Sequence, residues 1–150
     1  MGKPTLGGGR GKYDQGEFTP RNRDKYIGTY PILCRSSWEK KMCAFLDTHS
    51  SVLFWASESL AIPYINPFTK RIANYYPDFM VVFMDKNGNQ KREIIEIKPS
   101  HETFIEKART KRDKMAVALN YYKWAAAKKF ADSNGLFFRV ITEKDIWDMT

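Results

Sequence analysis

With 150 residues, 43% hydrophobic and 28% charged, the chain is long enough for one domain with its own core and leaves little room for a second. Its 25 basic residues outnumber 17 acidic ones, a formal net charge of +8, and aromatics reach 15%; this pairing points to a polyanion partner such as nucleic acid. Two cysteines, Cys34 and Cys43, and two histidines, His49 and His101, exclude a disulfide framework and a Cys/His metal cluster.

The first 18 residues are rich in Gly and Lys/Arg without hydrophobic period, and lack the apolar core of a signal peptide. Leu6 breaks the N-myristoylation pattern. The expectation is a soluble, intracellular protein with a flexible basic arm over residues 1–31, which Tyr26, Ile27, Tyr30 and Ile32 can dock onto the domain, and a folded domain over 32–150. A helix is expected from Ser36, where Trp38, Met42, Phe45 and Leu46 recur on one face. Ser36 and Glu39 fit a capping box, and Cys43 reads as a small core residue of that helix. A strand is expected over 52–60, a loop around Pro63 and Pro67, and a second strand over 75–84. Asp85-Lys86-Asn87-Gly88-Asn89 signals a hairpin, and 92–98 is the returning strand, stopped by Pro99. A long helix follows over 105–132, with Met115, Leu119, Tyr122, Ala126 and Phe130 as its buried stripe and Asn134-Gly135 as its stop. A last strand at Phe137–Ile141 and a short helix at Glu143–Asp148 complete an α/β pattern, α-β-β-β-α-β-α, around a small mixed sheet flanked by helices. No apolar stretch approaches the length of a membrane span.

Chemistry concentrates in Tyr75-Tyr76-Pro77-Asp78-Phe79 and Ile95-Glu96-Ile97-Lys98-Pro99. Carboxylates in strands are unfavourable unless they face water or meet a partner. Glu96 and Lys98 are two apart and leave the same face of one strand. Two carboxylates meeting across the hairpin would make a hard-oxygen site for Mg²⁺ or Mn²⁺, with a lysine beside them to position water. The plainer alternative is a solvated strand face for Glu96 and Lys98, and a turn or bulge role for Asp78. Register decides between them. A two-residue turn at Asn87-Gly88 would send Asp78 and Glu96 to opposite faces, so a common site demands an odd-length loop, such as Asn87-Gly88-Asn89, or a bulge.

Pro77-Asp78, Glu96-Ile97-Lys98 and the element order together resemble the PD-(D/E)xK nuclease superfamily, whose restriction-endonuclease-like core runs helix, three strands, helix, strand. The segments RSSWE, IPY, YYPDF and IIEIKP, with Lys25-Tyr26-Ile27-Gly28 and Tyr30-Pro31-Ile32, are similar more narrowly to the head-completion nucleases of T4-like tailed phages. They also resemble TnsA-type transposon endonucleases and phage Holliday-junction resolvases. The resemblance implies a Mg²⁺- or Mn²⁺-dependent endodeoxyribonuclease, with exonuclease action as an extension. Asp78 and Glu96 would be metal ligands, the Ile97 backbone carbonyl a third, and Lys98 the water-orienting lysine. Glu39, about 20° from Leu46 on the helical wheel, matches an acidic residue that joins the site in some members, in competition with its capping role. The implied task is head completion and head–tail joining by cutting or trimming packaged DNA. DNA and head, portal or neck proteins would be its partners, in the host cytoplasm during assembly, with retention in the virion as a further expectation. The alternatives are a non-enzymatic head or neck protein, and an endonuclease of the junction-resolving or transposon type. Residues 105–129 hold eight basic and two acidic residues. Beside a phosphoryl site, Lys107, Arg109, Lys111, Arg112 and Lys114 form a candidate DNA-backbone track, a solvated helix face being the alternative. His101 is a candidate phosphate contact or a plain loop residue.

Overall fold

The computed structural model describes residues 16–100, 103 and 108–148. The chain runs β1 (Gly16–Phe18), β2 (Ile32–Cys34), α1 (Ser37–Thr48), β3 (Val52–Ser57), β4 (Ile62–Ile65), β5 (Ile72–Tyr75), β6 (Phe79–Met84), β7 (Gln90–Ile97), α2 (Lys111–Asn134), β8 (Phe137–Ile141) and α3 (Glu143–Asp148). Four strands form the central sheet in the order β3-β6-β7-β8. β6 is antiparallel to both β3 and β7, and β8 lies parallel to β7, with α2 as the crossover a parallel pair requires. This is the mixed sheet between helices expected of a restriction-endonuclease-like core.

The α1 face of the sheet holds Met42, Cys43 and Leu46 against Trp55, Val81, Ile95, Ile97 and Ile141. The other face packs Ile94 under Ile62, Tyr64, Tyr75, Ala127 and Ala131. Because both faces are covered, Ile94, Ile95, Glu96 and Ile97 are all buried, the continuous apolar run of a central strand with one carboxylate set into it.

Several elements depart from the sequence expectation. Residues 16–31 are part of the domain. β1 pairs with β2, the Asp47 carboxylate accepts from the Arg21 and Asn22 N–H groups, and Tyr26 is buried with its ring 4.7 Å from that of Trp55. Residues 1–15 of the expected arm lie outside the described residues. The stretch around Pro63 is a hairpin, β4 against β5, and Pro63 is tolerated because it sits exposed in a two-stranded unit. The expected strand over 75–84 is two strands, broken at residues 76–78, where Pro77 has no N–H to give a ladder.

α2 begins at Lys111, with the Thr110 side chain accepting from the Asp113 N–H, and ends at Gly135 in the left-handed region with φ 68°. Its fully buried positions are Val117, Asn120, Ala127 and Ala131, while Met115 and Tyr122 are exposed. Small alanines let the helix approach the sheet closely. Larger apolar residues fall to its flanks.

Candidate active site

The turn between β6 and β7 sets the site's geometry. The Asp85 N–H donates to the Asn89 carbonyl (2.8 Å), and Gly88 N–H to the Asp85 carbonyl (3.1 Å). Lys86-Asn87-Gly88 is therefore a three-residue loop with Gly88 at φ 80°, the left-handed position that glycine supplies. The loop is odd-length as the common site demands, one residue earlier than Asn87-Gly88-Asn89. The ladder pairs Met84 with Gln90 and Phe79 with Ile95. Extending it by one step brings Asp78 opposite Glu96, on the same face.

Asp78 lies just before β6 and is anchored at both ends. Its carbonyl accepts from the Glu58 N–H (2.9 Å), and its Oδ2 accepts from the Ile97 N–H (2.7 Å). The Glu96 carboxylate is buried in β7; Oε1 accepts from the Tyr75 hydroxyl (2.8 Å), and Oε2 lies 3.7 Å from Lys98 Nζ. Lys98 is held by its N–H to the Ile141 carbonyl (2.9 Å) in β8. Asp78, Glu96, Ile97 and Lys98 are thus brought together by three strand segments.

Glu39 sits at the start of α1. Its N–H donates to the Ser36 hydroxyl (3.2 Å), and its Oε1 accepts from the Arg35 N–H (3.3 Å). The cap forms, one residue upstream of the standard capping box. The same carboxylate lies near enough to Asp78 to raise its pKa. The Arg35 guanidinium pairs with buried Glu58, which has φ 46°, an uncommon conformation for a residue with a side chain. Glu58 therefore ties Arg35 through its carboxylate and Asp78 through its backbone.

Burial pushes Asp78 well above the ordinary carboxylate range, and the negative charges of Glu96 and Glu39 push it further; the Ile97 N–H and Lys98 oppose them. Glu96 is raised by burial too, against the pull of Lys98, the Tyr75 hydroxyl and Lys123. Lys123, half-buried on α2, lies across the Tyr64 and Tyr75 rings at 6.0 and 5.9 Å, and burial, with the Lys98 charge, lowers its pKa.

A buried and a half-buried carboxylate that resist ionisation are relieved by a divalent cation, so the donor set fits a hard-oxygen ion. Among the described residues, no three His, Cys, Asp or Glu side chains gather closely enough to enclose a metal. A pair of carboxylates that leaves other positions to water and phosphate suits Mg²⁺, which keeps much of its hydration.

Arg109, Lys111, Arg112 and Lys114 are exposed at and just before the start of α2. Lys111 lies 12 residues from Lys123, about 18 Å along the helix. Lys107 and His101 lie outside the described residues. Sequence reasoning missed Tyr75, Lys123, Arg35 and Glu58. Lys123 falls on the side of α2 that the structure buries, between Asn120 and Ala127, which the expected stripe did not mark.

Comparison with known proteins follows the same residues. A model of the family described as TnsA-like endonuclease N terminal matches residues 49–143, which include Asp78, Glu96 and Lys98. The chain is also 31% identical over 137 residues to the head completion nuclease of Enterobacteria phage T4, a match covering 85% of this chain and 90% of the T4 protein.

Proposed function

The chain belongs to the TnsA-like endonuclease family, and on that premise we propose that it hydrolyses phosphodiester bonds in DNA with Mg²⁺ or Mn²⁺ held by Asp78 and Glu96. The observation that carries the reading is the convergence of those two carboxylates, both raised in pKa, beside Lys98. The Ile97 carbonyl is the proposed third protein ligand. When bound, the cation would lower the pKa of a water and offset charge on the phosphate.

The chain's own groups do the rest. The Ile97 N–H fixes the Asp78 carboxylate through Oδ2. The Tyr75 hydroxyl holds Glu96 Oε1, leaving Oε2 toward Lys98. The Lys98 ammonium donates to the attacking water and favours its deprotonated form. Glu39 adds negative charge beside Asp78, which would favour a cation held there. The exposed cations at the start of α2 hold the DNA backbone.

The match to the T4 head completion nuclease covers most of both chains and supports a role in completing phage heads. There the protein would cut or trim packaged DNA before head and tail join, touching DNA and head, portal or neck proteins. That work belongs to the host cytoplasm during assembly, with retention in the virion and exonucleolytic trimming as extensions. The test is plasmid cleavage with Mg²⁺, with EDTA, and with Asp78→Ala and Glu96→Ala. Cleavage by the wild type with Mg²⁺ alone, absent from both folded variants, is expected. Equal cleavage by a variant sinks that residue's assignment, and no cleavage by any protein on linear, nicked or branched DNA sinks the nuclease reading.

A further inference from the structure

We propose that the β4–β5 hairpin is a DNA wedge, its tip placing Phe68, flanked by Ile65 and Ile72, in the minor groove a few base steps from the cut so that one base step unstacks. The proposal rests on the reading of DNA as the substrate and concerns how the duplex is gripped.

The hairpin forms its own two-stranded sheet outside the central one. Its inner residues Ile62, Tyr64 and Tyr75 are buried in the core. Its outer face, which carries Pro63 and Asn74 farther back, is apolar toward the turn: Ile65 and Ile72 oppose one another at 60% and 76% exposure, and Phe68 at the tip is 47% exposed. Three large exposed apolar side chains at and beside one turn mark a contact surface.

The tip is stiff. Asn66 Oδ1 accepts from the Phe68 and Thr69 N–H groups (2.8 and 3.2 Å), and the Asn66 N–H donates to the Arg71 carbonyl (2.9 Å). Lys70, at φ 63°, donates its N–H to the Asn66 carbonyl (2.8 Å). A preorganised tip inserts an aromatic ring without first losing conformational entropy.

Charge names the occupant. Residues 61–77 contain Lys70 and Arg71 and no acidic residue. Apolar wedges flanked by cations are the means by which proteins kink DNA through the minor groove. The hairpin is also continuous with the cutting centre, because β5 ends at Tyr75, whose hydroxyl holds Glu96. From Tyr75 to Ile72 the strand spans about 10 Å. At about 3.4 Å per step that is roughly three base steps, and the tip lies beyond Ile72, farther from the cut.

The experiment scans 2-aminopurine along a duplex, without divalent metal, on adding wild type, Phe68→Ala, Phe68→Trp and Asp78→Asn. The wild type is expected to raise fluorescence at one position. Phe68→Ala should abolish that rise and weaken binding about fivefold or more, the worth of one base stack, while Phe68→Trp restores both. Asp78→Asn should keep the rise, so a failure of the cutting chemistry does not touch the wedge. An unresponsive stack with the DNA-bound wild type, or equal signal and affinity in Phe68→Ala, overturns the proposal and leaves the tip to a protein partner.

Discussion

Ionising Asp78 works against the fold. Its folded pKa, like that of Glu96, is raised above the unfolded value of about 4, so the folded state holds more protons in the window above it. Stability then falls as pH rises, since its slope with pH follows protons bound unfolded minus protons bound folded. The stabilisation is fully present below about pH 4 and lost as pH climbs through the folded pKa values. Metal-free wild type should therefore melt at a lower temperature at pH 8 than at pH 5.5. Asp78→Asn, which keeps an oxygen for the Ile97 N–H, should melt higher than wild type at pH 8 and show a flatter profile. Adding Mg²⁺ should stabilise the wild type more at pH 8 than at pH 5.5, and the variant at neither. Thermal melts across pH check all three expectations. A wild type whose stability rises over that range would mean that the raised carboxylates do not govern it.

At the scale of elements, the β6–β7 loop couples a local turn to a distant pair of side chains. Gly88 is at φ 80°, and a Cβ there meets nothing within 4 Å. Gly88→Ala should cost only the left-handed backbone, about 1–2 kcal/mol. The denaturation midpoint should drop at unchanged m-value, with cleavage at its wild-type rate once folded. The order of elements from Ser36 was legible because strong signals stood alone: the Ser36 cap, the Asn-Gly turn, the Asn134-Gly135 stop. Asp78, Glu96 and Lys98 were legible as a short motif between apolar runs, and the odd loop followed from requiring them on one face. The β4–β5 hairpin was not, because Pro63 and Pro67 read as loop residues and nothing local says that Pro63 occupies an outer, exposed position. The buried stripe of α2 was displaced because large aromatics dominate a periodicity reading, whereas close packing selected Ala127 and Ala131. Tyr75 and Lys123 acquire roles only once the hairpin and α2 meet over Glu96, bringing together segments far apart in sequence.

Across the whole molecule, the net charge of +8 predicts long-range attraction to DNA that salt weakens. Neutralising Lys111, Arg112 and Lys114 together should flatten the slope of log affinity against log salt by about 0.9 for each phosphate that the variant leaves unneutralised. An identical slope in the triple variant would remove the start of α2 from the DNA track. The bond from the Lys98 N–H to the Ile141 carbonyl also has a consequence in time. Translation delivers Asp78 and Glu96 while β8, the strand that seats the lysine, has yet to be synthesised. A growing chain can therefore pair β6 with β7 and still lack the partner that fixes the Lys98 backbone. Its final seat waits until α2 and β8 have followed it from the ribosome.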